Sequence, residues 1–188
     1  MTSPNYMGVL AKEVLWNRVL PEQVFSRKPA VSLFFDGGLL ENEGFLEDLV
    51  GWSGSAFAED EAVLVICERE GSRLLGAESF GLSKMNLSRD CGAAKRHWLS
   101  KLGVQSERTC VVFNKGIDWM LYEEELEDFG VLVLFAEHNA VTHGQEWLAL
   151  SRHFFTKSDI ESALAQGSGS NLSAIYTREF LTGLMANY

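Results

Sequence analysis

Short apolar runs separated by turn residues predict a β-sheet. Six segments fit strands, because each is rich in β-branched or aromatic residues and bounded by glycine, polar or charged residues. They are AVSLFFDGG, EAVLVICERE, RLLGAESF, TCVVFN, DWMLYE and GVLVLFAE. Several of these runs are apolar without alternation, as in strands covered on both faces. If Trp119 to Tyr122 is a strand, Trp119 and Leu121 face one side of the sheet, and Met120 and Tyr122 the other.

Apolar positions at helical spacing predict helices before, between and after these strands. A first helix is expected from about Asn5 to Leu20, a short acidic one at ENEGFLEDLVGW, and a third at SRDCGAAKRHWLSKLG. After the last strand the pattern becomes helical throughout, from about 143 to 186. In that part Ser158–Glu161 reads as a capping box, and NLSAIYTREFLTGLM reads as one closing helix.

Together these elements predict an α+β (or α/β) fold with a helical C-terminal third. We expect a mixed β-sheet of about five or six strands, with helices packed on it, because there is enough helix to cover a sheet on both faces. Residues 1–188 fit a single domain of ordinary size, and the short GSGSN stretch is the only linker-like segment.

Composition places the chain among ordinary globular proteins. Hydrophobic residues make up 46% and charged residues 22% of the 188 positions. The three cysteines are widely spaced, and two of them lie in apolar runs, so no disulfide framework is expected. The N-terminal stretch has neither a signal-peptide pattern nor a membrane span, and a cytoplasmic location with no membrane partner is the expectation.

The charge of the chain is strongly uneven. The formal net charge is −10. Residues 36–70 carry ten acidic groups against one basic group, Arg69, and residues 116–146 carry eight acidic groups and no basic one. Between them, residues 71–115 are basic. Acidic blocks disfavour binding to nucleic acid, which needs Lys and Arg at the phosphates, and they favour a basic protein partner.

The stretch DWMLYEEELEDFG, residues 118–130, concentrates this character in one place. It holds six carboxylates and no basic residue. It lacks the ligand spacing of an EF-hand loop, so a calcium site is excluded. A solvated acidic face and a docking surface for a cationic protein are the two remaining interpretations. On the docking interpretation, the aromatic residues would anchor the partner and the acids would steer it. The expected contact residues are Trp119, Tyr122, Glu123, Glu124, Glu125, Glu127 and Asp128.

No motif of a known reaction is present, and none calls for a cofactor. The leading hypothesis is therefore a non-catalytic acidic binding protein, in its sharpest form an inhibitor or immunity-type protein that neutralises a basic partner such as a toxin nuclease. The alternative is a small hydrolase, either metal-dependent through His138, His143 and Glu146 or thiol-dependent through Cys91. A third alternative is a subunit of a larger assembly, in which the basic block of one copy meets an acidic block of another.

Overall fold

The fold is built on one antiparallel sheet of six strands. The computed structural model describes residues 6–58, 61–100, 107–125, 128–135, 144–166 and 171–188. The strands are β1 (Val31–Asp36), β2 (Glu61–Glu70), β3 (Arg73–Ser83), β4 (Glu107–Asn114), β5 (Trp119–Glu124) and β6 (Phe129–Leu134). Their order in the sheet is β1-β6-β5-β4-β2-β3. The α+β class and the strand number are confirmed.

The sheet is antiparallel at every pairing, whereas the sequence predicted a mixed one. The strands are continuous apolar runs because helices cover both faces, and such coverage does not require parallel neighbours. The predicted alternation along β5 is confirmed. Trp119 and Leu121 pack in one hydrophobic layer, and Met120 and Tyr122 pack in the opposite layer.

Seven helices flank the sheet among the described residues. They are α1 (Tyr6–Glu13), α2 (Glu43–Phe57), α3 (Leu87–Ser100), α4 (Gln145–Ser151), α5 (Lys157–Gln166), α6 (Asn171–Ile175) and α7 (Arg178–Asn187). Helices α2, α3 and α4 contribute to one layer of the core, and α1, α5 and α7 contribute to the other. The helical C-terminal third is confirmed. No helix in the described part of the chain is long and apolar enough to cross a membrane.

The end of α1 and the cap of α5 differ from the prediction. Helix α1 ends at Glu13, because the next residues pair with the returning chain: Leu15 N donates to Val24 O at 2.7 Å. The capping box of α5 is formed by Thr156 and Asp159 rather than by Ser158 and Glu161, since Asp159 Oδ2 accepts from Thr156 N at 2.6 Å.

The closing helix is divided in two. Thr177 caps a new helix by accepting a hydrogen bond from Phe180 N at 3.2 Å, and this cap separates α6 from α7. Aromatic rings of this segment pack on the sheet, with Phe129 in edge contact with both Tyr176 and Phe180. Apolar spacing alone predicted a single helix because it continues in phase across the break.

Candidate functional site

Acidic residues from both acidic blocks of the sequence lie at one end of the sheet. Antiparallel pairing places the last residue of β1, Asp36, opposite Phe129, and it places Glu124 opposite Phe129 and Thr109. The start of β4 and the end of β2 lie at the same end, since Glu107 pairs with Arg69. We call this region the acidic end. Its acidic members on and beside these strands are Asp36, Glu41, Glu107, Glu123, Glu124, Glu125 and Asp128.

Glu124 is neutralised inside the protein. Its side chain points to the same face as Met120 and Tyr122, and the residue is 2% exposed. One carboxylate oxygen forms an ion pair with Arg69 Nη2, and the other accepts a hydrogen bond from Leu20 N at 3.0 Å. Glu124 therefore serves as the counter-charge of a buried arginine that comes from the other acidic block.

Glu125 is also paired, but nearer the surface. Arg108 Nε donates to Glu125 Oε2 at 2.7 Å, and Arg108 Nη2 forms an ion pair with the second oxygen. The same guanidinium lies 4.1 Å from the ring centroid of Trp98 and donates to the carbonyl of Trp98 near the end of α3. Arg108 thereby joins α3 to the acidic end, and its charge is compensated by Glu125.

Glu123 is buried without an arginine partner. The residue is 4% exposed and lies on the opposite face from Glu124. Its Oε1 accepts a hydrogen bond from Leu39 N at 2.8 Å. Burial raises the pKa of Glu123 to about 8, and the negative charges of Asp128, Glu41 and Glu125 add to that effect. The Leu39 bond opposes the shift only in part, so Glu123 holds a proton at neutral pH.

Three further carboxylates stay on the surface. Asp36, Glu41 and Asp128 are exposed, and none of them forms an ion pair with a described lysine or arginine. Burial, followed by the charges of Glu41 and Asp36, raises the pKa of Asp128. The three acids are therefore close enough to repel one another. A hydrogen bond from Gly37 N to Asp128 O at 3.0 Å links the two turns that carry them.

A cleft of about 290 Å³ opens between the 3₁₀ turn Leu39–Glu41, the end of α3 and the β5–β6 connection. Its walls combine apolar and acidic groups. Its lining includes Leu39, Leu40, Glu41, Trp98, Leu99, Arg108, Glu123, Glu125 and Asp128. A cleft that contains a buried carboxyl of strongly raised pKa is a default candidate for a binding site.

The structure changes the expected set of contact residues. Trp119 and Tyr122 are 0% exposed, and Trp119 Nε1 donates to Ser53 Oγ at 3.1 Å inside the core. A docked protein reaches only exposed surface, so these two aromatics are core residues and not anchors in this fold. Glu124 is also buried, at 2% exposure, so it is not a contact residue in this fold. Glu123 reaches the surface only through the cleft, and Glu125 is partly exposed.

Other predicted residues have different outcomes. Asp128 is exposed as expected. Glu127 lies outside the described residues, as do His138 and His143 of the predicted metal site, while Glu146 is exposed on α4. No group of three His, Cys, Asp or Glu side chains with metal-binding geometry occurs within the described ranges. Cys91, the predicted reactive thiol, lies in α3 and is 5% exposed.

The aromatic residue of the site is Trp98, which the sequence analysis missed. It lies on α3, twenty residues or more from the acidic stretch, and long-range pairing brings it there through Arg108. Its intermediate exposure suits an interface side chain.

Comparisons of the chain with protein-family models, with curated proteins and with solved structures found no match.

Proposed function

We propose that the protein is a non-catalytic binding protein that docks a basic protein partner on its acidic end. The observation that carries the proposal is that acids from both acidic blocks lie at one end of the sheet, with three exposed carboxylates that have no described counter-ion. An inhibitor or immunity-type role, in which the docked protein occludes a cationic active surface such as that of a nuclease, is the specific form of this proposal.

The distribution of cations supports docking over a merely solvated face. The two arginines that reach the acidic end, Arg69 and Arg108, are already engaged by Glu124 and Glu125. They therefore do not cancel the charge of the exposed acids. Like charges held close together are destabilising, and a cationic partner removes that repulsion on binding.

Charge at the rim of an interface acts mainly on the rate of encounter. Opposite charge on the partner steers association by roughly 10- to 1,000-fold at low ionic strength. The effect decays with a screening length of about 8 Å at physiological salt. Binding at the acidic end is therefore expected to be strong at low salt and to be released by a salt step.

The test compares two variants of equal charge in a pull-down from lysate of the native host. One is Asp36→Asn, Glu41→Gln and Asp128→Asn combined, which neutralises the exposed acids. Position 128 has a φ of 48°, in the left-handed region. Asparagine is chosen there because it tolerates that conformation. The control neutralises three exposed acids elsewhere, Glu47, Glu78 and Glu146, each to Gln.

The wild-type protein and the control are expected to retain one near-stoichiometric basic protein at low salt, and the acidic-end variant is expected to lose it. Both variants lower the negative charge by three, so a loss confined to one of them reports position and not net charge. Equal capture by both variants, or no captured protein at all, would overturn the proposal. Elution of a second copy of this chain would favour the alternative of self-assembly.

A further inference from the structure

We infer that the cleft at the acidic end is an anchor pocket that takes one arginine or lysine side chain of the docked partner, with Glu123 as the buried counter-charge. This inference rests on the proposed function and adds to it a defined chemical group. It gives Glu123, which forms no ion pair among the described residues, a role in recognition.

The size and walls of the cleft suit one long cationic side chain. At about 290 Å³ it lies at the lower end of the range of ligand pockets, which disfavours a large cofactor. Leu99 lines the cleft and is 49% exposed, so it offers apolar surface to the methylene groups of lysine or arginine. Trp98 also lines the cleft, and its ring already carries one cation, the guanidinium of Arg108, 4.1 Å from the ring centroid.

The charge of the cleft has the sign that this occupant requires. The one cation in its described lining, Arg108, is compensated by Glu125. Glu41 and Asp128 also line the cleft, and Glu123 adds a negative charge when it is ionised. A cationic group therefore enters an anionic site, whereas a phosphate or carboxylate would be repelled.

Glu123 can also accept hydrogen bonds from a group in the cleft. Its Oε1 accepts a hydrogen bond from Leu39 N at 2.8 Å, and the residue is part of the cleft lining. A carboxylate has about four acceptor positions on its two oxygens, so one backbone amide does not use its full capacity. The N–H groups of a guanidinium or ammonium are donors of the kind that a carboxylate binds.

Entry of a cation would be linked to the release of a proton. Glu123 is protonated at neutral pH, because burial and its neighbours raise its pKa to about 8. A cationic side chain stabilises the ionised form, so the proton leaves for the solvent as the ion pair forms. The ionisable groups facing Glu123 are Glu41 on the 3₁₀ turn, Asp128 and Glu125 on the β5–β6 connection, and Cys110 and Arg108 on β4.

The experiment uses the full chain with Nα-acetyl-L-arginine methylamide as the probe. Nα-acetyl-L-lysine methylamide compares the two cations, and the uncharged citrulline analogue is the control. Binding is followed by NMR through the Trp98 indole and the Leu39 amide. With a pKa of about 8, the ionised fraction of Glu123 is about 1% at pH 6 and about 10% at pH 7. The Kd of the wild-type protein should therefore fall about tenfold between these pH values.

Glu123→Gln is the matched variant, because its side-chain oxygen can still accept the Leu39 hydrogen bond. Its Kd for the arginine probe should change less than twofold between pH 6 and 7, and calorimetry in buffers of different ionisation enthalpy should detect no proton release. The wild-type protein should release about one proton. Absence of binding at every pH, equal binding of citrulline, or the same pH dependence in Glu123→Gln would overturn the inference.

A second variant tests the electrostatic coupling without altering Glu123. Glu41→Gln combined with Asp128→Asn removes two charges that raise the pKa of Glu123. The midpoint of the pH-dependent affinity should move to lower pH, while the affinity at high pH should fall. An unchanged midpoint would contradict the inference.

The outcome of this test is separable from that of the pull-down. Arginine binding with the expected pH dependence, but with no captured partner, would overturn the proposed function and leave the cation pocket. A captured partner without arginine binding in the cleft would leave docking at the acidic end and overturn the anchor pocket.

Discussion

The Glu123→Gln variant should be more stable than the wild-type protein at pH 7 and similar to it below pH 4. In the folded protein the pKa of Glu123 is about 8, whereas the ordinary value of a glutamate is 4.5. Between these values the unfolded chain is ionised at this position and the folded chain is protonated. Folding must then take up a proton, and stability falls as the pH rises.

The magnitude follows from the difference between the two pKa values. Each pH unit in this interval lowers the free energy of unfolding by about 1.4 kcal/mol. At pH 7 the loss is roughly 3 kcal/mol, and it levels off near roughly 5 kcal/mol above pH 8. Glutamine does not titrate and can retain the acceptor for Leu39, so the variant avoids this loss. Below pH 4.5 glutamate is protonated in both states, and the advantage of the variant disappears.

The assay is urea unfolding followed by tryptophan fluorescence at pH 4, 5, 6, 7 and 8. The measured quantity is the difference in the free energy of unfolding between variant and wild type at each pH. Because all other titrating groups are shared, this difference isolates Glu123. It should rise from pH 5 to pH 7 by roughly 3 kcal/mol. Parallel pH profiles of the two proteins would refute the assignment of a protonated carboxyl to this site.

Three further changes test the surrounding structure. Glu124→Gln should lower the free energy of unfolding by about 3–5 kcal/mol at pH 7, measured in the same urea assay, because it leaves Arg69 buried without its main counter-charge. Gly130→Ala should lower it by about 3 kcal/mol, since the added Cβ would lie 2.1 Å from the buried ring of Phe35, whereas Gly51→Ala in α2 meets no atom within 4 Å and should be neutral or stabilising. The three cysteines are buried, so iodoacetamide should modify them only as fast as the protein unfolds, with the modified fraction measured by mass spectrometry. Rapid modification of the native protein would contradict this and would favour the hypothesis of a thiol-dependent enzyme.

The strands were predictable from local sequence because their signal is local. The run Val63–Cys67 is short, rich in β-branched residues and bounded by charged residues, which is typical of a strand covered on both faces. The period of two assigned Trp119 and Tyr122 to opposite faces correctly. Extending the same period by two residues would have placed Glu123 and Glu124 inside the sheet. The predicted strand ended near Tyr122, because a row of glutamates is more often solvated than buried.

The pairing partners of those glutamates were not predictable from local pattern. Arg69 lies 55 positions before Glu124, and only the order of β5, β4 and β2 brings them together. One signal of a buried ion pair was available in the sequence. Arg69 is the single basic residue in the acidic block 36–70, and it lies two positions after the buried Cys67, on the same face of the strand. The contribution of Trp98 depended on the packing of α3 on the end of the sheet, which apolar spacing does not specify.

The adjacent residues Glu123 and Glu124 have opposite effects on stability: the fold needs the charge of Glu124 and does not need that of Glu123. Glu124 compensates a buried arginine, so its charge contributes to stability. Glu123 supplies one acceptor for Leu39, which glutamine would supply equally well, and its ionisable group lowers stability at neutral pH. A residue that conflicts with the requirements of folding, in a cleft rimmed by exposed acids, is where function is expected. If Glu123→Gln gains stability and also loses the pH-linked affinity for arginine, one carboxyl accounts for both effects. If it gains stability and its affinity for arginine keeps the pH dependence of the wild-type protein, Glu123 is not the counter-charge of an anchor pocket.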